Sequence, residues 1–210
     1  MIKQQLGLRV ATVDLGGWDT HEGQNAGNYF DNLVTELSQG LSAFYADLNT
    51  SQRAYTDRLT VVVMSEFGRR LEANADGGTD HGHGSIMMVL GGTVNGGLHG
   101  DWPTLDPSAL FEGIDPDVTV DYRRVLSEIL IRRMENPQLG QIFPGYSDYA
   151  PLGVVQGLDL SPIYDDRTPT AVRLGTTAAS SNAMAGKAAT AAGVGLAATA
   201  GLVALRNRGQ

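Results

Sequence analysis

The chain predicts an α/β domain, and three stretches carry that expectation. Leu8 to Asp14 reads as a short apolar strand, and Asn28 to Leu48 follows as a helix. Leu59 to Met64 is a β-branched run of the kind buried on both faces of a sheet. Strand, helix and strand in that order imply a right-handed parallel crossover. At 210 residues the chain is long enough for one good-sized core.

Each element has a local reason. The first strand ends at Gly16-Gly17, a turn that carries Trp18-Asp19-Thr20-His21. In the helix, Phe30, Leu33, Val34, Leu37, Leu41, Phe44 and Leu48 recur at helical spacing and form one apolar stripe. A polar break from Asn49 to Asp57 leads into the second strand, which empties into Ser65-Glu66-Phe67-Gly68-Arg69-Arg70. A glycine-rich loop with Asp80 and His81 comes next, then a third strand over Ile86 to Leu90. Gly91-Gly92-Thr93-Val94-Asn95-Gly96-Gly97 is dense in turn residues and predicts a short hairpin. Asp121 is placed to cap a helix running to Met134, with Tyr122, Val125, Leu126, Ile129 and Leu130 inward. Arg132 and Arg133 suit its C-terminal end, and Pro137 stops it.

The organisation expected along the chain is a folded domain over 1–149, a linker or tail over 150–187, and an apolar segment over 188–205. The linker is rich in Gly, Pro, Ser, Thr and Ala and lacks sustained periodicity. Ala188 to Leu205 is uncharged, with Lys187 before it and Arg206 and Arg208 after it. As a helix it would be about 27 Å long, just enough to cross a bilayer. It is a candidate transmembrane or Ala/Gly-rich helix. The flanking basic residues would keep the C-terminus cytoplasmic and the main domain outside.

Composition narrows function. A net charge of −8 and a pI near 4.8 argue against nucleic acid as a partner, which needs a basic footprint. An anionic ester would have to be held by something other than the overall field. Cysteine is absent, so neither disulfides nor thiolate metal sites are available. No secretory signal precedes the first strand, and so direct an entry into a core strand suggests the C-terminal part of a longer protein.

The chemistry-bearing residues concentrate in turns. All four histidines, His21, His81, His83 and His99, lie in glycine-rich loops. Clustered aspartate and neutral imidazole is the donor set of a divalent ion of the zinc or manganese type. Ligands in open α/β sheets bind beyond the carboxyl ends of parallel strands, where Asp19, His21, Ser65 and Glu66 would fall. Asp19 and His21 sit at i, i+2 and can share a side; Asp80 and His81 are adjacent and can share an ion only in an irregular turn. Asp19 alone would more often be a turn or cap residue, and His21 alone a surface imidazole. Glu66 is a ligand, a histidine-orienting group, or an ion-pair partner of Arg69 or Arg70, the last being favoured. Arg69 could bind an anionic ester through its guanidinium fork, or pin a loop, which is commoner. Ser65 lacks a base at a recognisable spacing and reads as a turn residue.

Four motifs in series then carry a resemblance: Gly-Trp-Asp-Thr-His at 17–21, Ser-Glu-Phe-Gly-Arg-Arg at 65–70, Gly-Thr-Asp-His-Gly at 78–82 and Gly-Gly-Thr-Val-Asn-Gly-Gly at 91–97. Over residues 8–145 the chain resembles the C-terminal half of the bacterial domain-of-unknown-function family fifteen-oh-one. That family is typically exported by the twin-arginine route and belongs to the alkaline-phosphatase/sulfatase-like superfamily. The resemblance implies a partial doubly wound sandwich with a mostly parallel sheet and a C-terminal tail outside it. It implies one or two divalent ions (zinc, manganese, magnesium or calcium), with Asp80 and His81 serving one and Asp19 and His21 the other. His83 or His99 would complete the set, with Arg69 as an anion-binding candidate. The Asp-x-His spacing at 19–21 departs from the usual Asp-x-x-x-His of the enzymes. The implied function is a metal-dependent phosphate or sulfate ester hydrolase acting on a small anionic ester, periplasmic or at the cell surface. The catalytic nucleophile would lie in an upstream N-terminal half, so this chain is expected to be inactive alone. The alternative is a non-catalytic envelope protein reusing the fold.

Overall fold

The computed structural model describes residues 1–50, 53–165 and 202–205. In chain order the strands are β1 (Val10–Thr12), β2 (Asn49–Thr50), β3 (Arg53–Ala54), β4 (Leu59–Val63), β5 (Gly68–Arg69), β6 (His81–Gly82), β7 (Met88–Leu90) and β8 (Leu202–Leu205). The helices are α1 (Tyr29–Leu48), α2 (Tyr122–Met134) and the single turn α3 (Leu139–Ile142). The mixed α/β character expected from the sequence is present.

The main sheet has the order β1-β8-β4-β7, and two-stranded ladders join β2 to β3 and β5 to β6. Every one of these pairs is antiparallel, with Val10 opposite Ala204, Val61 opposite Val203, and Val61 opposite Leu90 across the other edge. This corrects the mostly parallel sheet of the sequence expectation. Two strands antiparallel to a common neighbour run the same way, so β1 and β4 do keep the relative direction of a parallel crossover. They are separated by β8, and β7 returns from β4 without a helical crossover, which leaves antiparallel pairing as the available geometry.

The centre of the fold is β4, and its alternation divides the core. Val62 packs with Val125 and Ile129 of α2 and with Val154 and Val155. Leu59 and Val61 pack with Leu48, Leu41 and Phe44 of α1, and with Ile2, Leu8 and Leu90. Successive strand side chains point to opposite faces, so α1 and α2 cover opposite sides of β4. β1 is less buried than its sequence suggests: Val10 and Val13 are exposed at the rim of the sheet.

Helix α2 begins where the sequence places it, with the Asp121 carboxylate accepting the Arg123 backbone N–H at 2.8 Å. The Arg123 side chain, hydrogen bonded to the same carboxylate, holds Asp121 below the usual carboxylate range. The helix closes with Glu135 in the left-handed region at φ 54°. Its buried face differs from the expected one. Tyr122 is exposed, while Ser127, Glu128 and Arg133 are buried, because the helix is covered on a second side by the segment around Val155. Asp121→Ala is expected to cost about 1 kcal/mol, measured by urea denaturation at neutral pH. A lowered folded pKa means this contribution is complete above about pH 4 and fades as pH falls through the folded value. The gap between wild type and variant should therefore narrow in acid.

The expected linker begins inside the folded unit. Val154 and Val155 are buried core residues, and Val94 bridges Val155 while the Asn95 N–H donates to the Val154 carbonyl at 2.8 Å. The glycine-dense stretch 91–97 therefore pairs with 154–156 rather than closing on itself as a hairpin. Residues 166–187 lie outside the described residues, as do 188–201 of the candidate membrane segment. The last four residues of that segment, Leu202–Leu205, form β8 rather than helix. Among the described residues no helix is long and apolar enough to cross a membrane.

Candidate metal centre

Two loops meet beyond the ends of β1 and β4. The first, 18–24, is built of tight turns, with the Thr20 N–H donating to the Trp18 carbonyl and the His21 N–H to the Asp19 carbonyl. The second, 74–80, lies against it. The Thr79 N–H donates to the Thr20 carbonyl at 3.2 Å, the Gly23 N–H to the Asp76 carbonyl at 2.9 Å, and the Gln24 N–H to the Gly77 carbonyl at 2.9 Å. The β5–β6 ladder sets Arg69 opposite His81 and so fixes where the second loop ends.

This arrangement brings Asp19, His21 and His81 together, with one ligand atom of each within 4.8 Å of the others. Asp19 Oδ1 is the shared centre, 2.9 Å from His21 Nε2 and 2.7 Å from His81 Nε2. An ion bonded at about 2.1 Å to tetrahedral ligands would need them roughly 3.4 Å apart. Both imidazole nitrogens thus lie about half an ångström closer to Asp19 Oδ1 than a loaded site requires, a shift of the order that side-chain rotation supplies. His81 is steadied by stacking on Phe67, centroids 4.2 Å apart and 10° from parallel.

Asp80 takes a different place from the one the motif suggests. Its Oδ1 faces the other ring nitrogen of His21, Nδ1, at 3.3 Å. A carboxylate on that side fixes the ring so that Nε2 is presented to Asp19, the usual relation of an outer carboxylate to a metal-binding histidine. His83 is not brought into the cluster. It stacks on Phe111 at 3.8 Å, with Nε2 3.9 Å from Asp117, because the chain bends after β6 and turns its side chain away from His81. His99 lies between the carbonyls of Asn95 and Leu152 and ties those two segments together.

Arg69 pins loops. Its guanidinium donates to the backbone carbonyls of Trp18 and Thr79, approaches Asp19 at 3.7 Å and lies over Phe67 at 4.6 Å. With its donors on protein carbonyls, its geometry is that of a clamp between the two loops rather than an open fork for an anion. Ser65 accepts the Phe67 N–H, a turn role as expected.

Two contributors, Asn74 and Gln24, are not singled out by the sequence, while Gly78 belongs to the motif at 78–82. Asn74 Nδ2 donates to the His21 carbonyl at 2.7 Å and to Asp80 Oδ1 at 3.0 Å. Gln24 Oε1 accepts from both Thr20 and Thr79 hydroxyls at 2.9 Å. Gly78 lies so close to His21 that an added Cβ would sit 2.2 Å from its carbonyl carbon. Side-chain amides of this kind are common in loops and carry no distinguishing sequence signal.

Electrostatics follow from these contacts. The hydrogen bond from His81 lowers the Asp19 pKa, helped by the charges of His21, His81 and Arg69. The hydrogen bond from Asn74, then that from His21, lowers Asp80. Both groups therefore stay ionised into acid solution. The cleft beside them, about 460 Å³, is lined by Asp19, Glu22, Asp76 and Asp80 and, among the described residues, by no lysine or arginine. Its two hydroxyls of note are engaged: Thr20 donates to Gln24, and Tyr29 donates to the Gly17 carbonyl.

A family model described as "Protein of unknown function (DUF1501)" matches residues 3–138. The chain belongs to this family. The match spans every residue of the two loops, so the Asp19, His21 and His81 cluster lies within the family's own region. No curated protein and no solved structure matches the chain.

Proposed function

We propose that this chain binds a divalent ion through Asp19, His21 and His81, as part of a metal-dependent phosphate or sulfate ester hydrolase of the envelope. The observation that carries the proposal is the convergence of one carboxylate and two imidazoles from loops about sixty residues apart. Asp-His-His is a donor set suited to zinc or manganese, and less to magnesium or calcium, which prefer all-oxygen shells. The chemistry such an ion supplies is polarisation of an ester and of water in the cleft. The chain's own residues do the rest: Asp80 orients His21, while Arg69 and Gln24 hold the loops together. An anionic ester would meet four carboxylates in the cleft, so its binding should depend wholly on the ion. Export belongs to the same proposal and rests on the resemblance.

The competing reading, a non-catalytic envelope protein with a structural ion, is favoured by one observation. The Thr20 and Tyr29 hydroxyls lining the cleft are both committed to protein acceptors and are poorly placed to attack an ester.

Elemental analysis of the purified full chain decides the first point. About one zinc or manganese per chain is expected, falling to background in His81→Ala. A stoichiometric ion supports the metal site in either reading, and metal-dependent turnover of an aryl phosphate or sulfate favours the hydrolase and overturns the expectation that this chain is inactive alone. Protein that takes up no transition metal at neutral pH rules out both.

A further inference from the structure

We propose that Asn74 is the positioning residue of the metal site, holding Asp80 against His21 Nδ1 so that His21 offers Nε2 to the ion. This rests on the metal-binding reading above and adds the part that sets its geometry.

All polar atoms of the Asn74 carboxamide are engaged. Asn74 Oδ1 accepts the backbone N–H groups of Asp76 and Gly78, each at 3.0 Å, which shapes the 74–78 turn. The same turn is closed by the Asn74 N–H donating to the Gly78 carbonyl at 2.8 Å. On its other side Nδ2 reaches two targets that matter to the site, the His21 carbonyl and Asp80 Oδ1. One amide thus binds the backbone of one candidate ligand and the carboxylate that backs the same ligand's ring.

The consequence is geometric. The Asp80 side chain is half exposed, and free of Asn74 it could rotate into solvent. The His21 ring would then lose its fixed orientation, and its Nε2 would no longer be held 2.9 Å from Asp19 Oδ1. Groups that orient metal-binding histidines in this way are typically worth about 10- to 100-fold in metal affinity. An aspartate at position 74 would keep the Oδ1 acceptor and so the turn, but would replace the Nδ2 donor by a second carboxylate facing Asp80. That substitution separates the positioning role from the turn-forming one.

Cobalt(II) titration of the full chain, read by affinity and by its visible spectrum, tests the proposal. Asn74→Asp is expected to weaken cobalt binding about 10- to 100-fold and to shift the spectrum. The thermal midpoint of the metal-free protein should stay near that of wild type. Asp80→Asn alone leaves the turn untouched whether or not Asn74→Asp folds. Because the carboxamide oxygen it introduces could still accept from both Asn74 and His21, its loss should be milder than that of His81→Ala. Wild-type affinity and spectrum in Asn74→Asp, with binding abolished in His81→Ala, would overturn the Asn74 assignment and leave the metal site standing. So would an Asn74→Asp defect that merely tracks a fall in metal-free stability. A loss in Asp80→Asn as severe as in His81→Ala would make Asp80 a ligand and remove the relay. Wild-type protein that takes up no cobalt, or His81→Ala that takes it up equally well, would remove the metal reading itself.

Discussion

Glu128→Ala is expected to destabilise the protein by about 3–5 kcal/mol, the range for breaking a buried charged network from one side. Glu128 is fully buried on α2, and both of its oxygens are used twice. Oε1 accepts from Arg132 at 2.9 Å and from the Val155 N–H at 2.9 Å. Oε2 accepts from the Leu152 N–H at 2.7 Å and the Gly153 N–H at 3.0 Å. Removing the carboxylate strands three backbone donors and leaves the largely buried Arg132 dependent on Asp159 and the Val155 carbonyl. A loss of this size should lower the melting midpoint by about 10 °C in a chain of this length. Glu128→Gln is expected to recover only part of it, since one oxygen becomes an N–H₂ group facing donors. Urea titration followed by circular dichroism measures both variants. A cost below about 1 kcal/mol for Glu128→Ala would mean the 150–165 segment is not held to α2 by this residue.

That network shows where sequence reading stops. The N-terminus of α2 was legible because its determinants are local: Asp121 precedes the helix and bonds within two residues. The burial of β4 was legible for the same reason, since a β-branched run carries its preference with it. Glu128 was not legible. On a helical pattern it reads as a solvated charge, and what buries it is a segment 24 to 27 residues away that composition marks as linker. Pairing directions failed similarly. Neither the β7 return to β4 nor the insertion of β8 between β1 and β4 is written in any short stretch of sequence.

The candidate site was partly legible. Asp19, His21 and His81 stood out because histidine is scarce here and glycine surrounds it. The distinction between His81 and His83 was invisible, because both flank Gly82 at a spacing that in an extended strand would share a side. Only the bend after β6 and the two aromatic partners, Phe67 for one and Phe111 for the other, separate them. The Asp80-His81 pair likewise reads as two ligands of one ion. In space the adjacent residues diverge, with His81 meeting Asp19 directly and Asp80 acting on the far side of the His21 ring.

The contact between the two loops sets the second large effect. Gly78→Ala is expected to lower metal affinity by about 10- to 100-fold and to destabilise the fold by about 1–3 kcal/mol through overpacking. A Cβ at Gly78 would sit 2.2 Å from the His21 carbonyl carbon, 2.3 Å from its oxygen and 2.6 Å from the Glu22 nitrogen. All three are backbone atoms, so no side chain can swing aside, and the loops themselves must part. The bonds they share, from Thr79 to the Thr20 carbonyl and from Gln24 to the Gly77 carbonyl, would lengthen together. His21 and Asp19 ride on one loop and His81 on the other, so separation acts directly on the 2.7 Å approach of His81 to Asp19. The backbone of Gly78 is not in the left-handed region, so the penalty is one of space rather than of conformation. Gly40→Ala is the matched control. It lies within α1 with open space where its Cβ would go, and alanine there should stabilise the helix by up to about 1 kcal/mol without touching metal binding. Isothermal titration with zinc and thermal melts on both variants make the comparison. Wild-type zinc affinity in Gly78→Ala would show that the loops need not touch for the three ligands to meet.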